Sequence, residues 1–320
     1  MLAITQSASL TGVVGHRVLV EVHVSAGLPG YTIVGLPDTS CRESRDRVRA
    51  AILSAGKPFP QRRVTVNLAP SDVPKLGSGL DLAMAVALLV AAGELKWTPD
   101  PRVGFLGELG LDGSVRPVRG ILPMVAALDV DELVVAVENA AEADLSGRVK
   151  VRPVATLAEV VEALAGEGPW PAHDVVPAVS RDYGPVPDLG EVRGQPFARL
   201  AVEVAAAGGH NLLMVGAPGA GKTMLAERLP PLLDDLDDAA ALEVSSVHSA
   251  AGVLHDTSEL VRRPPFRNPH HTASMVSMIG GGSRHLRPGE VSLAHRGVLF
   301  LDELGEFPAH VLDALRQPLE

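Results

Sequence analysis

The stretch Asn211-Leu-Leu-Met-Val-Gly-Ala-Pro-Gly-Ala-Gly-Lys222-Thr223 decides how the second half of this chain is read. Gly216 to Thr223 fit the pattern GxxxxGK[ST] at every position, the phosphate-binding loop that joins a buried strand to a helix. The apolar run before it predicts that strand, and Met224 to Leu229 after it predict the helix. Glycines at 216, 219 and 221 let the backbone bend. Gly216, Ala217, Pro218, Gly219, Ala220 and Gly221 would then wrap a triphosphate, with successive N–H groups pointing into one concavity and the positive end of the helix behind them. Lys222 would reach the β and γ phosphates of ATP, and the Thr223 hydroxyl would take one place on a Mg²⁺, which prefers oxygen ligands. A glycine-rich turn without chemistry is the plain alternative, and the full pattern in a strand-to-helix context argues against it.

A second apolar run, Gly297-Val-Leu-Phe-Leu301, reads as another buried strand and ends in Asp302-Glu303. Two carboxylates then stand at the C-terminal edge of a strand, where open α/β sheets hold their ligands. Asp302 is the expected metal ligand. Glu303, with Lys222, is the expected catalytic residue: it would orient and polarise the attacking water, because phosphoryl transfer asks of a protein mainly positioning and charge stabilisation. Two solvated acids at a strand end would look the same in isolation, and only the pairing with the phosphate loop sharpens the reading.

The rest of the chain frames this site. At 320 residues, 46% hydrophobic and 21% charged, it has the length of about two domains of a soluble globular protein. One cysteine, Cys41, excludes a disulfide framework and suits a reducing, cytoplasmic setting. Met1-Leu-Ala-Ile-Thr-Gln6 has no basic segment followed by an apolar core, and the longest apolar run, Leu82 to Ala92, is too short to span a membrane. The net charge of −10 means that any nucleic-acid contact must come from a local patch.

Residues 2 to 36 alternate apolar and polar positions, as in Val18-Leu-Val-Glu-Val-His-Val24 and Tyr31-Thr-Ile-Val34, and predict hairpin-linked strands. Ser40-Cys-Arg-Glu43 reads as a capping box opening a helix through Val48 and Ile52, closed by Gly56. Arg42, Arg45 and Arg49 share a face of that helix. Glu43 and Asp46 can offset their charge, so a solvated face is favoured over a phosphate-binding stripe. A strand over Arg63–Leu68, an apolar helix over Leu80–Ala92 and a hairpin from Val103 through Asp112-Gly113 to Val118 follow. Helices over 121–128, 140–145 and 157–164 then alternate with strands over 133–137 and 149–151. The first unit, 1–165, is α+β; the Pro- and Gly-rich 166–189 is a linker; 190–320 is the α/β nucleotide unit.

Leu28-Pro-Gly-Tyr-Thr-Ile-Val-Gly-Leu-Pro37, Asn67 to Leu82 and Gly107-Glu-Leu-Gly-Leu-Asp-Gly-Ser-Val-Arg-Pro-Val118 resemble the N-terminal domain of the Mg-chelatase-like AAA+ ATPases of the YifB and ComM group. Val192-Arg-Gly-Gln195, Ala205 to Met214, Pro265-Phe-Arg-Asn-Pro-His-His-Thr-Ala-Ser274, Pro288 to His295 and Leu315 to Glu320 resemble the same group. The resemblance covers nearly the whole chain. It implies a Lon-protease-like, ribosomal S5 domain 2-type N-terminal domain followed by a P-loop AAA+ domain, with Gln195 among the ATP-binding residues. It also implies a hexameric ring of the complete protein working on single-stranded or branched DNA, as a branch-migrating helicase of recombination and natural transformation. A magnesium-chelatase subunit driving metal insertion, and a Lon-like ATP-dependent protease, are the competing functions.

Laid on the Lon-like pattern without gaps, the sequence has Gly79 where the nucleophilic serine would stand and Leu122 where the catalytic lysine would stand. A serine nucleophile needs a base within hydrogen-bond reach and leucine offers none, so a binding or assembly platform is expected instead of a peptidase. His248, His255, His270, His271 and His285 lack zinc-ligand spacing and read as polar loop residues. Ile279 to Glu290 resembles the short insert with which this clade lines its central pore, which would turn Arg284, His285 and Arg287 towards nucleic acid. The chain stops at Glu320, before any sensor residue, arginine finger or helical lid. A truncated AAA+ domain that binds ATP without efficient turnover is the expectation.

Overall fold

A computed structural model describes residues 1–173, 186–254, 259–282 and 286–319. The chain divides into two compact units, Met1–Ala178 with Gly252–Ser258, and Val179–Ala251 with Glu259–Glu320.

In the first unit, strict alternation builds the sheet. β1 (Leu2–Thr11) and β2 (Val14–Ser25) form the long antiparallel hairpin that the alternation predicts, with Leu2 opposite His23 and Thr11 opposite Val14. Val18, Val20, Val22 and Val24 all point into the core. β3 (Gly30–Val34) does not continue that hairpin. Helix α1 (Thr39–Ser54) carries the chain over to β4 (Arg63–Ala69), and β3 pairs with β4 in parallel, Tyr31 opposite Val64. A helical crossover is what a parallel neighbour requires. The cap of α1 also differs from expectation: Asp38, not Ser40, accepts the N–H of Cys41 at 2.7 Å. An aspartate three residues before the first free N–H serves the same purpose.

α2 (Asp81–Ala92) is buried over nearly its full length, as a continuous apolar run bounded by Gly93 in left-handed backbone should be. β5 (Val103–Leu106) enters the main sheet, and the expected hairpin shrinks to the ribbon β6 (Glu108–Leu109) with β7 (Val115–Arg116). α3 (Ile121–Ala126), β8 (Glu132–Ala136), α4 (Ala140–Asp144), β9 (Lys150–Val154) and α5 (Leu157–Ala165) complete the unit, α5 opened by a capping box of Thr156 and Glu159. The seven-stranded sheet runs β3-β4-β2-β1-β5-β8-β9. Neighbouring residues of one strand serve opposite faces: Phe105 and Val134 pack with α1, α2 and α5, whereas Leu106, Leu133 and Val135 pack with α3 and α4.

The second unit is less regular. Helices Pro196–Gly208 and Asp238–Ala251 are its longest elements. The strand expected over Asn211–Val215 does not form: Leu213 is 73% and Val215 91% exposed, and no described strand pairs with the run. The expected strand over Gly297–Leu301 is reduced to Val298–Leu299, half-buried and parallel to Phe266–Arg267. Those two strands satisfy each other, through Val298 N–H to Pro265 O and Phe300 N–H to Arg267 O at 2.8 Å each, and leave the 211–215 backbone without a ladder. The insert after Ile279 folds back as a ribbon, Gly280 opposite Pro288 and Gly281 opposite Arg287. Gly289 is obligatory there, since a Cβ would stand 2.3 Å from the Gly280 nitrogen. No described helix is long and apolar enough to cross a membrane.

Candidate nucleotide site

The loop bends where its glycines allow. Gly219 and Gly221 have φ of 76° and 87°, left-handed backbone that β-carbon-bearing residues avoid. The helix that follows runs only over Lys222–Ala226, shorter than the expected Met224–Leu229 and starting earlier, because Arg228 and Leu229 turn off into i,i+3 bonds to Leu225 and Ala226. So short a helix adds little dipole, and the loop's own N–H groups and Lys222 carry most of the positive potential. Lys222 Nζ donates to the carbonyls of Gly216 and Ala217 at 3.0 and 3.2 Å, which folds the ammonium over the loop.

Below the loop the chain brings together two residues that lie 79 positions apart. Thr223 Oγ1 donates to Asp302 Oδ2 at 2.8 Å, while the other Asp302 oxygen accepts the N–H of Glu303 at 3.0 Å. Glu303 has φ of 52°, a left-handed conformation that costs a non-glycine residue energy and turns the chain sharply at the strand end. Its side chain is 66% exposed. A cleft of about 530 Å³ is lined by Leu212–Gly216 and Lys222 on one side and by Leu299–Glu306 on the other. Asp302 and Lys222 in the lining of this cleft, with the Thr223 hydroxyl bonded to Asp302, supply the hard oxygens and the ammonium that a magnesium triphosphate calls for.

Gln195 stands apart from this group. It caps helix Pro196–Gly208 in left-handed backbone, and its side chain forms no bond with the loop or with Asp302. The arginines near the insert are engaged elsewhere: Arg262 with Asp238, Arg267 with Glu290 in a two-pronged pair, and Arg296 with Glu243. Arg287 is exposed, whereas Arg284, His285 and His255 lie outside the described residues.

His271, read from the sequence as a polar loop residue, stands beside the candidate catalytic acid. Its Nδ1 stands 3.6 Å from Glu303 Oε2, its ring lies against His270 at 4.0 Å between centroids and meets Phe307 edge-on. Nothing in the spacing signals this contact, because it depends on the parallel pairing of Phe266–Arg267 with Val298–Leu299. His248 is a structural residue: its ring meets the carbonyl of Leu293 at 3.0 Å, and burial holds its pKa below the usual imidazole value.

In the first unit, the two positions named from the Lon-like pattern hold no chemistry. Gly79 faces Val118, and Leu122 is buried in the apolar core. The neighbouring Ser78 donates to the Glu108 carboxylate, and Lys75 is fully buried with its ammonium spent on the carbonyls of Pro70 and Val73. Beneath them Arg47 and Asp81 form a two-pronged ion pair, Nε to Oδ2 at 2.6 Å and Nη2 to Oδ1 at 3.1 Å. Burial, opposed by Arg47, pushes the Asp81 carboxyl up to about 6.

Residues 188–320 match the family model for magnesium chelatase, subunit ChlI, and residues 20–139 match the model for subunit ChlI of Mg-chelatase. The competence protein ComM of Haemophilus influenzae is 45% identical over 324 residues, covering 100% of this chain. The uncharacterized protein YifB of Escherichia coli K12 is 43% identical over 321 residues, again with 100% of the chain covered. The chain spans 63% of the length of each of these relatives. A Lon protease of Mycolicibacterium smegmatis is 25% identical over 186 residues, or 54% of this chain and 23% of its own.

Proposed function

We propose that this chain, which belongs to the magnesium-chelatase-like AAA+ ATPase family of YifB and ComM, is the nucleotide-binding part of a motor that couples ATP hydrolysis to the remodelling of DNA. The observation that carries the nucleotide reading is the Thr223–Asp302 contact beneath a loop that fits GxxxxGK[ST] throughout. In this reading Thr223 and Asp302 hold Mg²⁺, and Gly216, Ala217, Pro218, Gly219, Ala220 and Gly221 cradle the phosphates. Bound magnesium supplies charge neutralisation on the phosphate oxygens. Lys222 leaves the carbonyls of Gly216 and Ala217 for the β and γ phosphates. Glu303, turned outward by its left-handed backbone, accepts the proton side of the attacking water and orients it in line. Gln195 is retained as a nucleotide contact only through the family resemblance.

The first unit supports a Lon-like, S5 domain 2-type domain serving as a platform: its mixed sheet carries helices on both faces, and the dyad positions are Gly79 and Leu122. That arrangement disfavours an ATP-dependent protease. A chelatase subunit is the second reading, favoured by the family models themselves. DNA is preferred because one relative is a competence protein and the likeness runs through both units. A hexameric ring in the cytoplasm is the expected working form. The deciding experiment measures phosphate release by the protein with and without single-stranded or four-way branched DNA. Stimulation by DNA supports the motor. A rate indifferent to every DNA, and raised by a porphyrin-chelatase partner complex, would replace it with the second reading.

A further inference from the structure

We infer that the exposed arginine face of α1 binds the phosphate backbone of a nucleic acid, an inference that rests on the DNA reading above. Arg42, Arg45 and Arg49 are spaced three and four apart and lie on one side of the helix. The opposite side, Cys41, Ser44, Val48, Ala51 and Ile52, is buried in the core, so the arginines stand fully outward.

The acids expected to neutralise this face form no ion pair with it. Glu43 and Asp46 are exposed on the same helix, yet neither forms an ion pair with Arg42, Arg45 or Arg49, and none of the three arginines has a carboxylate partner among the described residues. Some exposed arginines elsewhere are tied up, Arg102 by Asp129 and Asp131, Arg262 by Asp238 and Arg296 by Glu243, whereas Arg17, Arg116 and Arg287 stand singly without a carboxylate partner among the described residues. On α1 itself, Arg47 alone is paired, on the inner side. In a chain of net charge −10, three exposed arginines without a carboxylate partner among the described residues, against Glu43 and Asp46 on the same helix, leave this face with a small local excess of positive charge.

The row is also partly pre-ordered. The Arg49 guanidinium lies over the Phe59 ring, 5.7 Å from its centroid, and Tyr31 stacks on Phe59 at 6.3 Å. The charge continues past the aromatic pair: Arg62 and Arg63 are exposed where β4 begins, beside Gly30 and one residue from Tyr31 in register. Seven residues of helix set Arg42 and Arg49 about 10 Å apart along the axis. Along a duplex axis that length matches about three phosphate steps of one strand at roughly 3.4 Å each. A row of three guanidinium groups at helical spacing, with Leu53 the one large exposed apolar side chain on α1, suits a linear polyanion better than a protein partner, whose affinity would sit in several buried aromatic anchors.

The test uses the 320-residue chain and fluorescently labelled single-stranded and duplex oligonucleotides, followed by anisotropy between about 50 and 200 mM salt. Replacing Arg42, Arg45 and Arg49 by Gln should lower the slope of log affinity against log salt by about 2 to 3, and affinity at 0.1 M salt by about 100-fold. The triple Lys variant should restore most of that loss. Glu43→Gln with Asp46→Asn should tighten binding, a gain that misfolding cannot mimic. Unchanged slope in the Gln variant, with binding intact, overturns the face and leaves the DNA motor standing. A parent chain that binds no oligonucleotide at about 50 mM salt also overturns it, and the DNA-stimulated turnover assay above then decides the motor on its own. Equal affinity for poly-glutamate would assign the face to an acidic protein instead.

Discussion

Replacing Lys222 by Ala should weaken binding of magnesium ATP about 30- to 150-fold without disturbing the fold. In the structure the ammonium is already satisfied by Gly216 O and Ala217 O, so nucleotide binding exchanges two bonds to neutral acceptors for two to charged ones. Hydrogen bonds to charged groups are worth about 1.5–3 kcal/mol, with the ammonium–carbonyl bonds near the foot of that range and ammonium–phosphate bonds near its top. The exchange is then worth about 1–1.5 kcal/mol per bond, or about 2–3 kcal/mol for both, which converts to the stated range at 1.4 kcal/mol per factor of ten. The bare attraction of two charges 4 Å apart near a protein surface, about 4 kcal/mol, is the ceiling. Gly216 and Ala217 are exposed, so water takes over their carbonyls in the variant and stability should not change. Titration of the 320-residue chain with a fluorescent ATP analogue in Mg²⁺ measures the affinity, and a urea melt checks the fold. Equal affinities in parent and variant would show that the loop does not use its lysine and would remove the nucleotide assignment.

Three further outcomes follow from named residues. Glu303→Gln should keep ATP bound and cut turnover about 10²- to 10⁴-fold, the usual worth of a positioned base; parent-like ADP release would refute that role. Casein degradation should stay at background with ATP present, because Ser78 meets only the Glu108 carboxylate; hydrolysis that disappears in Ser78→Ala would reveal a nucleophile after all. Arg47→Met should cost about 3–5 kcal/mol in urea unfolding near pH 7, since it strands the fully buried Asp81 carboxylate. Asp81 also sets a pH dependence: burial raises it from 3.8 in the free state to about 6 in the fold, so the native chain holds the proton more tightly between those values. Its contribution is full below about pH 4 and lost as pH rises through about 6, so the stability of the parent relative to Asp81→Asn should fall across that window. A flat difference would mean that the ion pair, not burial, governs the group.

Local pattern and tertiary neighbours divide the information unequally between the two units. Alternation over Val18–Val24 was enough to place four valines in a core, because a half-buried strand needs nothing more than a face to bury. The same signal at Tyr31–Val34 named a strand but not its partner: the parallel match to β4 is set by the packing of α1, which no window of a few residues contains. In the second unit the motif says more than the periodicity. Leu212–Val215 has the composition of a buried strand, but burial of a strand is a property of its neighbours, and here Val298–Leu299 takes Phe266–Arg267 as its partner and leaves the run as one wall of an open cleft. Yet Thr223 and Asp302 still meet at 2.8 Å. A side-chain contact that survives where the backbone ladder between the same two segments is missing shows that the polar pair, and the turns at Gly221 and Glu303 that aim it, register this site independently of the sheet. The contact of His271 with Glu303 escaped the sequence for the complementary reason: it depends on the two-residue parallel pairing and on ring packing against His270 and Phe307, and neither has a counterpart in spacing along the chain.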